Sequence, residues 1–137
     1  MKKINCILLV DDNPADNAYH SIIIRRTGVC THIKVATDGR KALDYLIKSG
    51  EPNPSEAFPH PELIYLDINM PRMNGFEFLE AYKTLDEQLK AKIVIMMLTT
   101  SLNPDDKAKA FATNQVTEFQ NKPLTGEMLQ ETIEKYF

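Results

Sequence analysis

The sequence predicts an α/β domain of the doubly wound type, with a five-stranded parallel sheet and five helices. Two observations carry this. Five strand-like runs interleave with helical patterns along the 137 residues, and such alternation folds as a parallel sheet covered on both faces. Four of those runs also stop at chemically capable side chains, as strands do where a parallel sheet presents its carboxyl edge to a ligand.

The first run, Ile4-Asn5-Cys6-Ile7-Leu8-Leu9-Val10, reads as a buried strand and meets Asp11-Asp12. Asn13-Pro14 supplies an N-cap and a first-turn proline for a helix reaching about Arg26. His32-Ile33-Lys34-Val35-Ala36 alternates polar with apolar, which suits an edge strand. Asp38-Gly39 leads into a second helix with Leu43, Leu46 and Ile47 on one face. Residues 50–61 hold four of the eight prolines (Pro52, Pro54, Pro59 and Pro61), so a surface loop is expected there rather than a domain linker. The third strand, Leu63-Ile64-Tyr65-Leu66, stops at Asp67, and the helix after Gly75 carries Phe78, Leu79, Tyr82 and Leu85. The fourth, Ile93-Val94-Ile95-Met96-Met97-Leu98, stops at Thr99-Thr100. Asn103-Pro104-Asp105-Asp106 opens the fourth helix with good capping chemistry. Its apolar face of Ala108, Phe111 and Ala112 is small, which predicts weak anchoring. Val116-Thr117-Glu118-Phe119 precedes Lys122-Pro123, and the last helix has Leu129, Thr132, Ile133, Tyr136 and Phe137 at helical spacing. Tyr136-Phe137 either closes the core or supports a homodimer, and the sequence leaves both open.

This length suits one domain, residues 1–137, with a proper core. No apolar stretch approaches a membrane span, and Met1-Lys2-Lys3 is followed by too short an apolar run for a signal peptide. A cytoplasmic protein without membrane contact is expected. A net charge of -3 gives no general reason to expect nucleic-acid binding. Cys6 and Cys30 form neither a disulfide framework nor a zinc pattern, and Cys6 within the first strand reads as a small buried hydrophobe. His20, His32 and His60 lack metal-ligand spacing and are expected at surface or edge positions.

The chemistry follows from the strand order. A flavodoxin-like order, 2-1-3-4-5, sets strand one beside strand three and so gathers Asp11, Asp12 and Asp67. Strand four then sets Thr99 next to Asp67, and Lys122 reaches over from strand five. Three carboxylates in one crevice repel one another unless a cation intervenes. All-oxygen ligation, with no His or Cys beside it, suits Mg²⁺ better than zinc. Metal, free carboxylate, amine and hydroxyl together match phosphoryl transfer onto a carboxylate: Asp67 attacks while the cations neutralise the phosphoryl oxygens.

Four pieces in order, Val10-Asp11-Asp12-Asn13, Leu66-Asp67-Ile68-Asn69-Met70-Pro71 with Asn74-Gly75, Leu98-Thr99-Thr100 and Lys122-Pro123, make the chain resemble a response-regulator receiver domain of two-component signalling over essentially its full length. The resemblance implies that Asp67 accepts phosphate from a sensor histidine kinase or a phosphotransfer protein. It implies that Asp12 ligates Mg²⁺ directly, with Asp11 assisting, and that the backbone carbonyl of Asn69 adds a ligand. Thr99, Thr100 and Lys122 would bind the phosphoryl group, and the bond before Pro123 would be cis. Thr99 would be the switch hydroxyl and Phe119 the switch aromatic. Asn69 and Ser101 occupy positions that tune dephosphorylation. The Pro-rich insert is similar to that of stand-alone receivers that pair with phytochrome-type kinases. The switch would act on the face formed by the fourth helix, fifth strand and fifth helix. No output domain is expected after Phe137, so output would be an interaction made by this domain or phosphate passed onward.

Three rival readings are weaker. A haloacid-dehalogenase-type phosphatase needs a second Asp two residues after its nucleophile, where this chain has Asn69. A flavodoxin needs a phosphate-cradling loop after strand one, and Asp11-Asp12-Asn13-Pro14 is not one. A receiver-fold adaptor that acts without phosphorylation has no need of the full acidic set and Lys122.

Overall fold

A computed structural model describes residues 2–51, 57–90 and 93–137. Five parallel strands, β1 (Ile4–Val10), β2 (Cys30–Ala36), β3 (Leu63–Leu66), β4 (Val94–Thr99) and β5 (Glu118–Asn121), pair in the order β2-β1-β3-β4-β5. This is the expected flavodoxin-like topology. Among the described residues six helices accompany them: α1 (Pro14–Thr27), α2 (Gly39–Ser49), α3 (Gly75–Lys83), α4 (Glu87–Lys90), α5 (Pro104–Ala112) and α6 (Gly126–Tyr136). The one beyond the five expected is α4, a single turn. Its Lys90 folds back over the domain, where Nζ donates to the Lys83 carbonyl at 3.1 Å and lies 6.0 Å from the Tyr82 ring centroid.

The sheet separates two apolar layers. Leu8, Val10, Ile64, Leu66, Ile95 and Met97 pack with α2 and α3 through Leu43, Leu46, Phe78 and Leu79. Ile7, Leu9, Leu63, Tyr65, Met96 and Leu98 pack on the other face with Ile24, Leu129 and Ile133. Alternate residues of the inner strands thus face opposite layers, which is why their sequences are continuous apolar runs. β2 is the edge strand that its alternation predicts, and Val35 remains 46% exposed. Tyr136 and Phe137 pack against the second layer, and the Tyr136 hydroxyl donates to Glu118, so this end does close the core.

Caps set the helix starts. Asn13 accepts from the backbone N–H groups of Ala15 and Asp16, Asp38 from that of Lys41, and Asn74 forms a capping box with Glu77. α5 is indeed weakly held, but through a different residue: Ala110 is its buried position, while Phe111 is 37% exposed. The described part of the insert is anchored, not free. Tyr45 donates its hydroxyl to the Pro59 carbonyl at 2.5 Å and packs on the Phe58 ring, and His60 bridges Ser49 Oγ (2.8 Å) and the Leu89 carbonyl (3.1 Å). Pro52 and Pro54 lie outside the described residues.

Candidate functional site

The ladder register builds the site. Val10 pairs with Leu66, Leu66 with Met97, and Thr99 with Asn121, so the next residues of β1, β3 and β5 emerge at one carboxyl edge. The backbone N–H of Asp67 donates to the Val10 carbonyl at 2.9 Å, and that of Lys122 donates to the Thr99 carbonyl at 2.9 Å. These bonds bring Asp11, Asp67 and Lys122 together across 111 residues of chain. The Lys122-Pro123 bond is cis, as expected.

Lys122 Nζ donates to Asp11 Oδ2 at 2.6 Å, Asp16 Oδ2 at 2.8 Å and Asp67 Oδ2 at 3.2 Å. Asp11 and Asp67 are 5% and 8% exposed, a placement that an unpaired carboxylate would resist. Burial pulls the Lys122 amine down, but its bonds to Asp11 and Asp16 and the Asp67 charge more than offset this, so it is held above the ordinary lysine value and stays charged. The Asp67 carboxylate is fixed further, since Oδ1 accepts the Ile68 N–H at 2.8 Å.

Three carboxylates, those of Asp11, Asp12 and Asp67, offer oxygens that all lie within 4.8 Å of one another. Oxygen donors at this spacing, with Asp12 itself exposed, suit a hard divalent cation that keeps some of its waters. Asn69 is exposed at the start of the turn after β3. That turn is pinned at both ends. The Gly75 N–H donates to the Ile68 carbonyl at 2.8 Å, and Met73 accepts from the Gly39 N–H at 2.9 Å. Arg72, at φ 64°, donates through Nε to fully buried Asp38 at 2.7 Å. Burial raises the Asp38 carboxyl, but hydrogen bonds from Lys41 and Arg72 win and hold it low.

Thr99 ends β4 fully buried, and its hydroxyl accepts the Ser101 N–H at 3.3 Å. Thr100 is exposed, and Ser101 is committed elsewhere, donating to Asp106 at 2.6 Å. Phe119 is half-buried on β5, beside a groove of about 240 Å³ lined by Ser101, Leu102, Pro104, Lys107 and Asn121.

Sequence reasoning missed the part played by four residues. Asp16 joins Lys122, the Asp38–Arg72 pair braces the turn, and His20 is buried beside the site at 3% exposure instead of lying at the surface. Burial lowers the His20 pKa, and Lys122 nearby lowers it further. Asp16 had a signal, since it falls in the first turn of a helix that begins at the acid pair. The pairing of Arg72 with Asp38 had none, because it joins two loops 34 residues apart.

The model of the response regulator receiver domain matches residues 7–134. The chain belongs to the response regulator receiver family. Receiver domains are signalling proteins, phosphorylation-dependent switching is their general function, and they hold a divalent metal in an acidic pocket. Among solved structures, a two-component response regulator from Cytophaga hutchinsonii is 33% identical with a TM-score of 0.84, covering 98% of both chains. A phosphorylated cyanobacterial phytochrome response regulator, RcpA, is 29% identical with a TM-score of 0.71, covering 98% of this receiver and 90% of that chain. The response regulator Rcp1 of Synechocystis is 36% identical over 100 residues, 73% of this receiver and 65% of Rcp1. A Mn²⁺-bound form of Rcp1 matches with a TM-score of 0.69 at 30% identity, covering 94% and 88% of the two chains. Among the described residues, no helix is long and apolar enough to cross a membrane.

Proposed function

We propose that this receiver is a phosphorylation switch in which Asp67 accepts a phosphoryl group from a histidine kinase or a phosphotransfer protein. The observation that carries this is the convergence of Asp11, Asp12 and Asp67 on one point with Lys122 across from them. An Asp67 carboxylate oxygen attacks the phosphorus of the donor's phosphohistidine. The new O–P bond forms as the P–N bond breaks, and the imidazole leaves with the electron pair and takes up a proton. Lys122, already within reach of Asp67, turns toward the phosphoryl oxygens. The donor set suits Mg²⁺, held by Asp11, Asp12, Asp67 and the Asn69 carbonyl, which when bound neutralises phosphoryl charge.

Thr99, with Thr100 beside it, supplies a hydroxyl to the phosphoryl group, and Phe119 moves with it. The groove beside Phe119 and the single buried residue of α5 support a shift of the α5–β5–α6 face. Asn69 and Ser101 tune hydrolysis, Asn69 from its exposed place by Asp67. Likeness to the phytochrome response regulator RcpA supports a phytochrome-type kinase as donor. Output is an interaction of the switched face or transfer of the phosphate onward.

Intact mass after incubation with acetyl phosphate tests the reading. Wild type gains one phosphoryl group only with Mg²⁺ present, and Asp67→Asn folds but gains none. No gain in wild type under any condition would favour an adaptor that works without phosphorylation. An equal gain in the variant would place the acceptor elsewhere.

A further inference from the structure

The ammonium of Lys122 has three N–H donors, and all three are taken by carboxylates: Asp11 at 2.6 Å, Asp16 at 2.8 Å and Asp67 at 3.2 Å. The proposed reaction accounts for two of these partners, since Asp11 turns to the cation and Asp67 becomes the phosphorylated group. Asp16 has no such part. It lies outside the three acids whose oxygens converge, and it sits on the first turn of α1, about one-third exposed.

We propose that Asp16 is a competitor for Lys122, a positioning residue that withholds this amine from the incoming phosphoryl group and so sets the phosphorylation rate. The inference rests on the phosphorylation reading above. To face the phosphoryl oxygens, Lys122 must give up a charge-assisted hydrogen bond, and the Asp16 bond is the one that the reaction does not otherwise consume or redirect. Asp16 also adds a fourth carboxylate against a single ammonium at the mouth that an anionic donor must enter. The α1 cap is made by Asn13 and does not use the Asp16 side chain. An asparagine keeps the shape and removes the charge.

The test compares wild type with Asp16→Asn in two assays. One is the initial rate of Mg²⁺-dependent phosphorylation by acetyl phosphate, followed by intact mass. The other is acetylation of Lys122 by dilute acetic anhydride without donor or metal, normalised to exposed Lys107 in the same sample. We expect Asp16→Asn to phosphorylate roughly two- to five-fold faster, the range for losing one partly exposed ion pair, and Lys122 to be acetylated faster relative to Lys107. Faster phosphorylation with unchanged Lys122 labelling would reduce Asp16 to a general charge effect and overturn the competitor role. An equal or slower phosphorylation rate would overturn it too. A wild-type chain that gains no phosphoryl group sinks the underlying reading instead, and the mass spectrum alone distinguishes that case.

Discussion

At the scale of single residues, the proposed acceptor is held by backbone as much as by charge. Asp67 is fixed by its N–H on Val10, by the Ile68 N–H on its Oδ1 and by Lys122 on its Oδ2. Gly75 completes this setting because of its size. A Cβ there would lie 2.3 Å from the Asp67 carbonyl oxygen and 3.0 Å from Ile68 Cα. Both contacts are to backbone, so no side chain can swing aside, and the turn that carries Asn69 must move instead. Gly75→Ala should therefore cost about 1–3 kcal/mol of stability, the range for overpacking a tight site. It should also slow phosphorylation more than a distant variant of equal stability does. Urea midpoints and acetyl phosphate rates measured together check this, and an unchanged midpoint would mean that the turn is loose.

At the scale of elements, most of the fold and the site's residues were legible because their signals are local. Continuous apolar runs marked β1, β3 and β4, caps at Asn13 and Asn103 marked two helix starts, and the chemical residues sat at or just past strand ends. What stayed hidden depends on rotation or on distant loops. Ala110, not Phe111, turned inward on α5, and α4 is too short to leave a period of its own. His60 belongs to this second class, as its ring ties the insert to Ser49 on α2 and to Leu89 on α4. Burial holds its pKa below the ordinary 6.5, and the pull of the Leu89 carbonyl does not make up for that. The unfolded chain then binds protons that the folded one refuses, so this contribution is intact above pH 6.5 and is lost as pH falls toward the depressed value. The urea midpoint should drop as buffer pH is lowered through this window, and His60→Gln should flatten the drop. Buried His20 titrates with the same sign, so some slope should remain. A variant with the wild-type slope would show that His60 contributes none of it.

At the scale of the whole molecule, the carboxyl edge concentrates what the rest of the fold avoids. Four carboxylates, Asp11, Asp12, Asp16 and Asp67, face one ammonium, while the two apolar layers beneath are closed. The folded state therefore carries a repulsion that an unfolded chain relieves, and a divalent cation should stabilise the fold by binding only where these groups converge. At a hundredfold excess over Kd the linkage is about 2.7 kcal/mol, a rise in Tm of roughly 8 °C for a domain of this size. Asp12 makes the sharpest probe because it is exposed and its loss leaves no cavity. Asp12→Asn should melt at or slightly above the wild-type temperature without metal, since one repulsive charge is gone, and should gain much less from added Mg²⁺. Thermal melts with and without Mg²⁺ separate the two effects. Equal gains in both proteins would mean that the cation binds elsewhere and that the convergent acids serve only to hold Lys122.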